Sequence, residues 1–265
     1  MTILDRIVQD TKELVAERKN VRSISHLETL PLFDRVPLPL EAVLRGEQLA
    51  VISEIKKASP SKGVIRHEFH PVEIARQYVR GGAAAISVLT EPDYFQGSIE
   101  TLAAVREQVS IPLLRKDFIV DPYQLVEARA YGADAVLLIA AVLDRGRLAD
   151  LLQAAGSLGL SALVEVYDLQ ELDRIDFDDV SILGVNNRDL RTFEVDINHS
   201  LTVFAHVPES ILRVSESGLR SARQLRHLHD HGVDAVLIGE TFMREDDPGQ
   251  ALASLRRDVE RTPEV

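Results

Sequence analysis

Eight short apolar runs rich in β-branched residues, each separated from the next by an amphipathic stretch, constrain this chain more than any other feature of its sequence. They read LAVISEI from Leu49, AAISVL from Ala84, IPLLRK from Ile111, DAVLLIA from Asp134, SALVEV from Ser161, SILGVN from Ser181, ILRVSE from Ile211 and DAVLIG from Asp234. Such alternation builds βα units around a parallel sheet. Eight units within 265 residues, 45% of them hydrophobic, fit a sheet closed on itself better than an open one. The expected fold is therefore α/β, a single (β/α)8 TIM barrel with an N-terminal helical extension. One domain is expected over 1–265, with the extension over 1–47 and the barrel over 48–265.

In the extension, Ile3, Leu4, Ile7, Val8 and Leu14 recur at helical spacing among charges, which predicts a helix and not a secretory signal. A Pro-rich turn, RVPLPLEAVLRG, follows before the first strand. The segment is too short for a domain of its own and is expected to pack on the barrel, with the mouth as one place it could lie. Three segments echo one another: GGAAAISVLT from Gly81, YGADAVLLIA from Tyr131 and HGVDAVLIGE from His231. In each, a glycine can end a helix in the left-handed conformation before the next strand. Reuse of one convenient connection explains this more simply than recent internal duplication.

Composition narrows the partners. With 42 acidic against 30 basic side chains and a net charge of -12, the surface repels a polyanion, so nucleic acid is not an expected partner. No apolar run approaches the ~20 residues of a membrane span, and no membrane association is expected. Cysteine is absent, which removes disulfides, thiolate metal sites and cysteine nucleophiles and points to a cytoplasmic location. A monomer is expected, with weak self-association left open.

Barrel enzymes carry their chemistry at the C-terminal ends of the strands. Here strand one ends in Glu54 and Lys56, two residues apart and so on one face, followed by the loop KASPSKG. Strand three ends in Lys116, strand five in Glu165, strand six in Asn186 and Arg188, and strand seven in Glu216 and Ser217. Any one of these taken singly could be a solvated loop residue or a structural ion pair. Together, two lysines and two glutamates at one mouth can supply acids and bases whose opposite charges share the cost of burial.

The loops after strands seven and eight carry Glu216-Ser217-Gly218 and Gly239-Glu240, followed by TFMR. That is where such barrels hold a phosphate on backbone N–H groups, although the same glycines could serve ordinary turns. Ser59 and Lys62 in the first loop could add contacts to the anion. Tyr94 and Phe95 after strand two, with Phe118 after the strand-three lysine, hint at a flat apolar part of the substrate; Phe118 could equally belong to the core. The eight histidines lack metal-ligand spacing, and His227, His229 and His231 read as a helix surface and its end, so no metal is expected.

Taken in order, SEIKKASPSKG, ISVLTEPDYFQGS, PLLRKDFIVDPYQ, ALVEV, GVNNRDL, SESGL and AVLIGETFMR resemble the motifs of the indole-3-glycerol phosphate synthases, and the resemblance runs from about Leu49 to Arg244. It implies that Lys116 is the general acid, Glu165 the partner base and Lys56 a second essential cation, with Glu54 and Asn186 orienting these groups and the substrate. Glu216 and Ser217 would hold substrate hydroxyls, and Ser59, Phe95, Phe118 and Arg188 would make further substrate contacts. Ser59, Gly218, Gly239 and Glu240 would bind the phosphate. Some members have serine where this chain has Glu240, so a contact there must come from the backbone N–H, with the side chain turned away. The implied substrate is the phosphorylated 1-(2-carboxyphenylamino)-1-deoxyribulose 5-phosphate, and no cofactor is expected. The related isomerase that precedes it in the pathway relies on a cysteine, and histidine-pathway barrels use paired aspartates; neither pattern is present. A catalytically silent barrel that binds a phosphorylated ligand is the remaining alternative.

Overall fold

The computed structural model describes residues 2–189 and 194–262, so Leu190, the last residue of the GVNNRDL motif, lies outside the described residues. Eight parallel strands close into a barrel: β1 (Ala50–Ile55), β2 (Ala85–Leu89), β3 (Leu113–Lys116), β4 (Ala135–Ile139), β5 (Ser161–Val166), β6 (Ile182–Asn186), β7 (Leu212–Glu216) and β8 (Ala235–Ile238). Each strand pairs with its sequence neighbours, and β1 closes the ring by pairing Ala50 with Ala235 of β8. All eight expected strands are present, each within two residues of the run that predicted it.

Because side chains alternate in a strand, every second residue points inward. Ile52, Ala85, Leu114, Ala135, Leu137, Leu163, Ile182, Val214 and Leu237 fill the barrel with one apolar cluster. The residues between them, such as Val51, Ile86, Val136 and Val164, face outward into a larger cluster shared with the surrounding helices. Both faces of the sheet are thus buried, which explains why the strands read as nearly continuous apolar runs.

The extension works at both ends of the barrel. Helix α1 (Ile3–Val21) begins in a capping box between Thr2 and Asp5 and brings Ile3, Leu4 and Ile7 to the mouth. Its second half is tied to the helix after β3, Pro122–Ala130, and to that helix's N-cap by Arg18 with Glu127 at 3.2 Å and Lys19 with Asp121 at 2.7 Å. A short helix, Leu40–Leu44, instead closes the opposite end, where Leu40 and Leu44 join the cluster inside the barrel. The Leu40 N–H donates to Ser161 Oγ at 3.1 Å, and the Leu38 N–H to Asp134 Oδ1 at 2.7 Å.

The internal echo has a physical reason. Gly132 and Gly232 end their helices with φ of 84° and 79°, and in the Gly81-Gly82 pair it is Gly82 that turns left-handed. Asp134, just before β4, accepts the N–H of Leu113 at the start of β3; Asp234, just before β8, accepts that of Arg213 in β7. Each aspartate clips a new strand to the start of the previous one. Between β5 and β6 the structure departs from the expected helix: the acidic stretch there forms two 3-10 turns, Leu169–Arg174 and Phe177–Asp179. Clustered aspartates favour turns because their side chains compete for nearby backbone N–H groups, as Asp176 does for that of Asp178.

Asp134 is fully buried and also pairs with Arg35 and Arg106, each at 2.7 Å. Its replacement by alanine strands the buried Arg106, so Asp134→Ala should cost about 3–5 kcal/mol. Asp234→Ala, losing mainly one backbone hydrogen bond, should cost about 1 kcal/mol. Denaturant midpoints of the two variants should differ accordingly, and equal midpoints would contradict the account.

Candidate active site

Above the apolar layer of the barrel, the inward positions become polar. They present Glu54 and Lys56 from β1 and its exit, Lys116 from β3, Glu165 from β5, Asn186 from β6 and Glu216 from β7. With Leu89, Ile139 and Gly239 these residues surround one cavity of about 170 Å³. Lys116 Nζ lies 2.8 Å from Glu165 Oε2 and 3.4 Å from Glu216 Oε2. Lys56 forms its own ion pair with Glu54. Asn186 Nδ2 donates to the second oxygen of Glu165 at 3.5 Å, while its Oδ1 accepts the Arg188 N–H at 3.0 Å.

Burial by itself would drive the Lys116 ammonium towards losing its proton, but the carboxylates of Glu165, Glu216 and Glu54 outweigh it and hold the pKa above the ordinary lysine range. At Glu216 it is burial that prevails. Burial pushes it up to about 8, opposed by Lys116 and reinforced by the Glu165 and Glu54 carboxylates. Two glycines make room for this crowding. A Cβ at Gly184 would overlap Glu216 Oε1, and a Cβ at Gly239 would overlap Glu54 Oε1.

The cavity rim collects the remaining expected residues. Ser59 lies on a two-residue ladder, Ala58–Ser59 against Gly63–Val64, and lines the cavity, whereas Lys62 at its tip is exposed. Ser217 and Gly218 are both left-handed, with φ of 71° and 78°. Asn187 holds this turn by donating to Ser215 Oγ at 2.9 Å and to the Ser217 carbonyl at 3.3 Å. Thr241 Oγ1 donates to the Leu219 carbonyl at 2.7 Å, so the last two loops are fastened to each other. Gly239 precedes the short helix Glu240–Met243. The Glu240 side chain, expected to turn away, stays at the rim: it accepts from Arg244 at 2.9 Å and faces Arg188 at 3.6 Å. These arginines and Lys62 overcome its partial burial and lower its pKa.

Phe118 fits both readings left open for it: it packs against the apolar cluster inside the barrel and lines the cavity with Phe95, their ring centroids 6.2 Å apart. Glu91 fixes that loop by accepting the N–H groups of Asp93, Tyr94 and Phe95. Tyr94 itself turns from the cavity and donates to Asp10 of α1 at 2.5 Å. Every residue expected at the site thus borders one cavity, apart from Lys62 and Tyr94. Sequence reasoning missed Ile3, Leu4 and Ile7 as part of the wall, and Asn187 and Glu91 as supports of its loops. The helical spacing of the first three was legible; what it packed against was not.

The profile of the indole-3-glycerol phosphate synthase family matches residues 4–255. The chain belongs to the indole-3-glycerol phosphate synthase family. The synthase of Salinibacter ruber is 57% identical over 258 residues, covering 97% of this chain and 96% of that protein. The synthase of Ruminiclostridium cellulolyticum is 48% identical, covering 96% and 98%. Among solved structures, 3-hexulose-6-phosphate synthase from Salmonella typhimurium superposes with a TM-score of 0.65 at 15% identity over 80% of this chain and 99% of that one. Thiamine phosphate pyrophosphorylase from Pyrococcus furiosus does so with 0.60 at 19% identity over 82% and 98%. These two likenesses concern the barrel alone. Membership of the synthase family makes the chain a carboxy-lyase of tryptophan biosynthesis. Among the described residues no helix is long and apolar enough to cross a membrane, and no three acidic or histidine side chains are grouped to hold a metal ion.

The glycine at 184 gives this synthase site a clean test. In Gly184→Ala the methyl group meets the carboxylate end of Glu216 and comes within 3.2 Å of Cδ1 of the buried Leu163, so the fold should survive with a small fall in melting temperature. The displaced carboxylate should disturb Lys116, and a misplacement near 1 Å costs turnover on the order of a hundredfold. Unchanged turnover in a folded variant would show that the carboxylate's position is unimportant.

Proposed function

We propose that this chain closes an indole ring on 1-(2-carboxyphenylamino)-1-deoxyribulose 5-phosphate, with Lys116 as general acid and Glu165 as general base. The observation that carries the reading is the 2.8 Å contact between these two side chains, 49 residues apart in sequence, at the bottom of a cavity with one apolar and one glycine-rich rim. The aromatic ring fits against Phe95 and Phe118, with Ile3, Leu4 and Ile7 of α1 above it. The phosphate fits the other side, on backbone N–H groups of Gly218, Gly239 and Glu240 and the Ser59 hydroxyl.

In this orientation the ketone of the substrate lies near Lys116. As the ring carbon bearing the carboxylate attacks the ketone carbon, the carbonyl π electrons move to oxygen. A developing alkoxide is far more basic than an amine, so proton transfer from Lys116 is favourable even though the neighbouring carboxylates hold that proton firmly. The bond to the carboxylate then breaks, carbon dioxide leaves, and its electron pair restores aromaticity. Expulsion of the hydroxyl as water needs an acid, Lys116 or Lys56, while Glu165 takes the proton from the adjacent carbon. Glu54 holds Lys56, Asn186 orients Glu165, and Glu216, Ser217 and Arg188 contact the sugar hydroxyls and rim. None of these steps calls for a cofactor. We further read the protein as a monomer of the cytoplasm, which sedimentation at several concentrations and cell fractionation would check.

Lys116→Ala should fold as the parent does and lose turnover by about 10²–10⁴-fold, the usual contribution of a general acid. The assay is the appearance of indole fluorescence on adding the substrate. Near-parental turnover would remove Lys116 from the role, and no product from the parent protein would remove the activity.

A further inference from the structure

Converting the ionised substrate into the indole product, carbon dioxide and water takes up one proton per turnover. Two protons are given, one to the ketone oxygen and one to the departing hydroxyl, and a single proton is recovered by the base. Where Lys116 serves both acid steps, it has to be recharged between them from another proton held in the site. We propose that Glu216 is that store: it enters the cycle as a carboxylic acid and recharges Lys116 after the first transfer. The inference rests on the reading of Lys116 as the acid.

The geometry supports it on several independent points. Glu216 is only 2% exposed, and its Oε1 has no hydrogen-bond partner among the described residues. A full negative charge there would leave a buried carboxylate oxygen facing no donor, a cost that a proton on the group removes. Its Oε2 is 3.4 Å from Lys116 Nζ, and the neighbouring Glu165 carboxylate also favours the protonated form. Charge balance agrees. Lys116 on β3 and Lys56 after β1 face Glu54 on β1, Glu165 on β5 and Glu216 on β7, while Arg188 and Glu240 offset each other at the rim. Two cations are matched by two carboxylates only if the third carries a proton. The substrate's carboxylate and phosphate add negative charge, which favours the protonated form further.

The transfer itself balances. Once Lys116 has given its proton to the forming alkoxide, it is a neutral amine. The Glu216 O–H bond breaks, its proton joins the lone pair on Nζ, and an ammonium–carboxylate pair results. Glu216 regains its proton from solvent when product leaves. Glu216 thus acts through Lys116 and need not touch the reacting atoms.

Glu216→Gln keeps the shape of the protonated acid but cannot give up a proton. Infrared spectroscopy of the parent protein without substrate should show a protonated carboxyl that ionises as pH rises through about 8 and that is missing in E216Q. In kinetics, steady-state turnover by E216Q should fall at least about tenfold further than its single-turnover ring closure does, and the extra loss should be restored by raising the concentration of a small buffer acid such as imidazolium. Turnover of the parent protein should fall as pH rises through about 8, and that fall should be absent from the variant. No such carboxyl in the infrared, undiminished turnover in E216Q, or equal loss of ring closure and later turnover would each overturn the proposal. The infrared result stands apart from catalysis, so it separates failure of the proton store from failure of the assigned reaction.

Discussion

Lys116 can keep its charge inside the barrel only because Glu165 stands beside it, with Glu216 close to the pair, and much of the upper barrel serves to bring those groups there. An unpaired ammonium at this depth would lose its proton or unfold its surroundings. The parallel barrel solves the problem by topology. Its strand ends all meet at one mouth, and inward positions two residues apart let an apolar layer support a charged one. Gly184 and Gly239 then give up side chains where the carboxylates need volume.

The same arrangement separates stability from chemistry along the barrel axis. At the lower end, the Leu40–Leu44 helix fills the opening, and Asp134 gathers Arg35, Arg106 and two backbone N–H groups into one buried anchor. At the upper end, α1 supplies apolar side chains to the cavity while its ion pairs bind it to the helix that follows the Lys116 strand. Arg115, fully buried on the outer face of β3, ties Asp117 and Glu127 together directly behind Lys116. The segment before the first strand is therefore structural at one end and part of the site at the other.

The fold was legible because strand periodicity is a local property: the runs from Leu49 to Asp234 announce eight inward-facing surfaces without reference to one another. The polar site was legible for a related reason, since the residue ending each run must face the mouth. Long-range pairing was not legible. Nothing near Leu38 says that its N–H meets Asp134, and the apolar face of Ile3, Leu4 and Ile7 does not name the cavity it covers. The pairing of Glu240 was not legible either, because the direction of a side chain at the rim depends on Arg188 and Arg244, which are distributed over separate turns. The missing helix between β5 and β6 followed from a cluster of aspartates whose turn-forming chemistry overrode the fold's usual pattern.

A crystal structure of the protein with its indole glycerol phosphate product bound would test the account most directly. The account requires the phosphate to lie against the backbone of Gly218, Gly239 and Glu240, and the indole between the aromatic pair and α1. Lys116 and Glu165 should both lie within hydrogen-bonding or contact distance of the newly formed ring. A phosphate seated elsewhere, or a ring beyond the reach of both side chains, would contradict it.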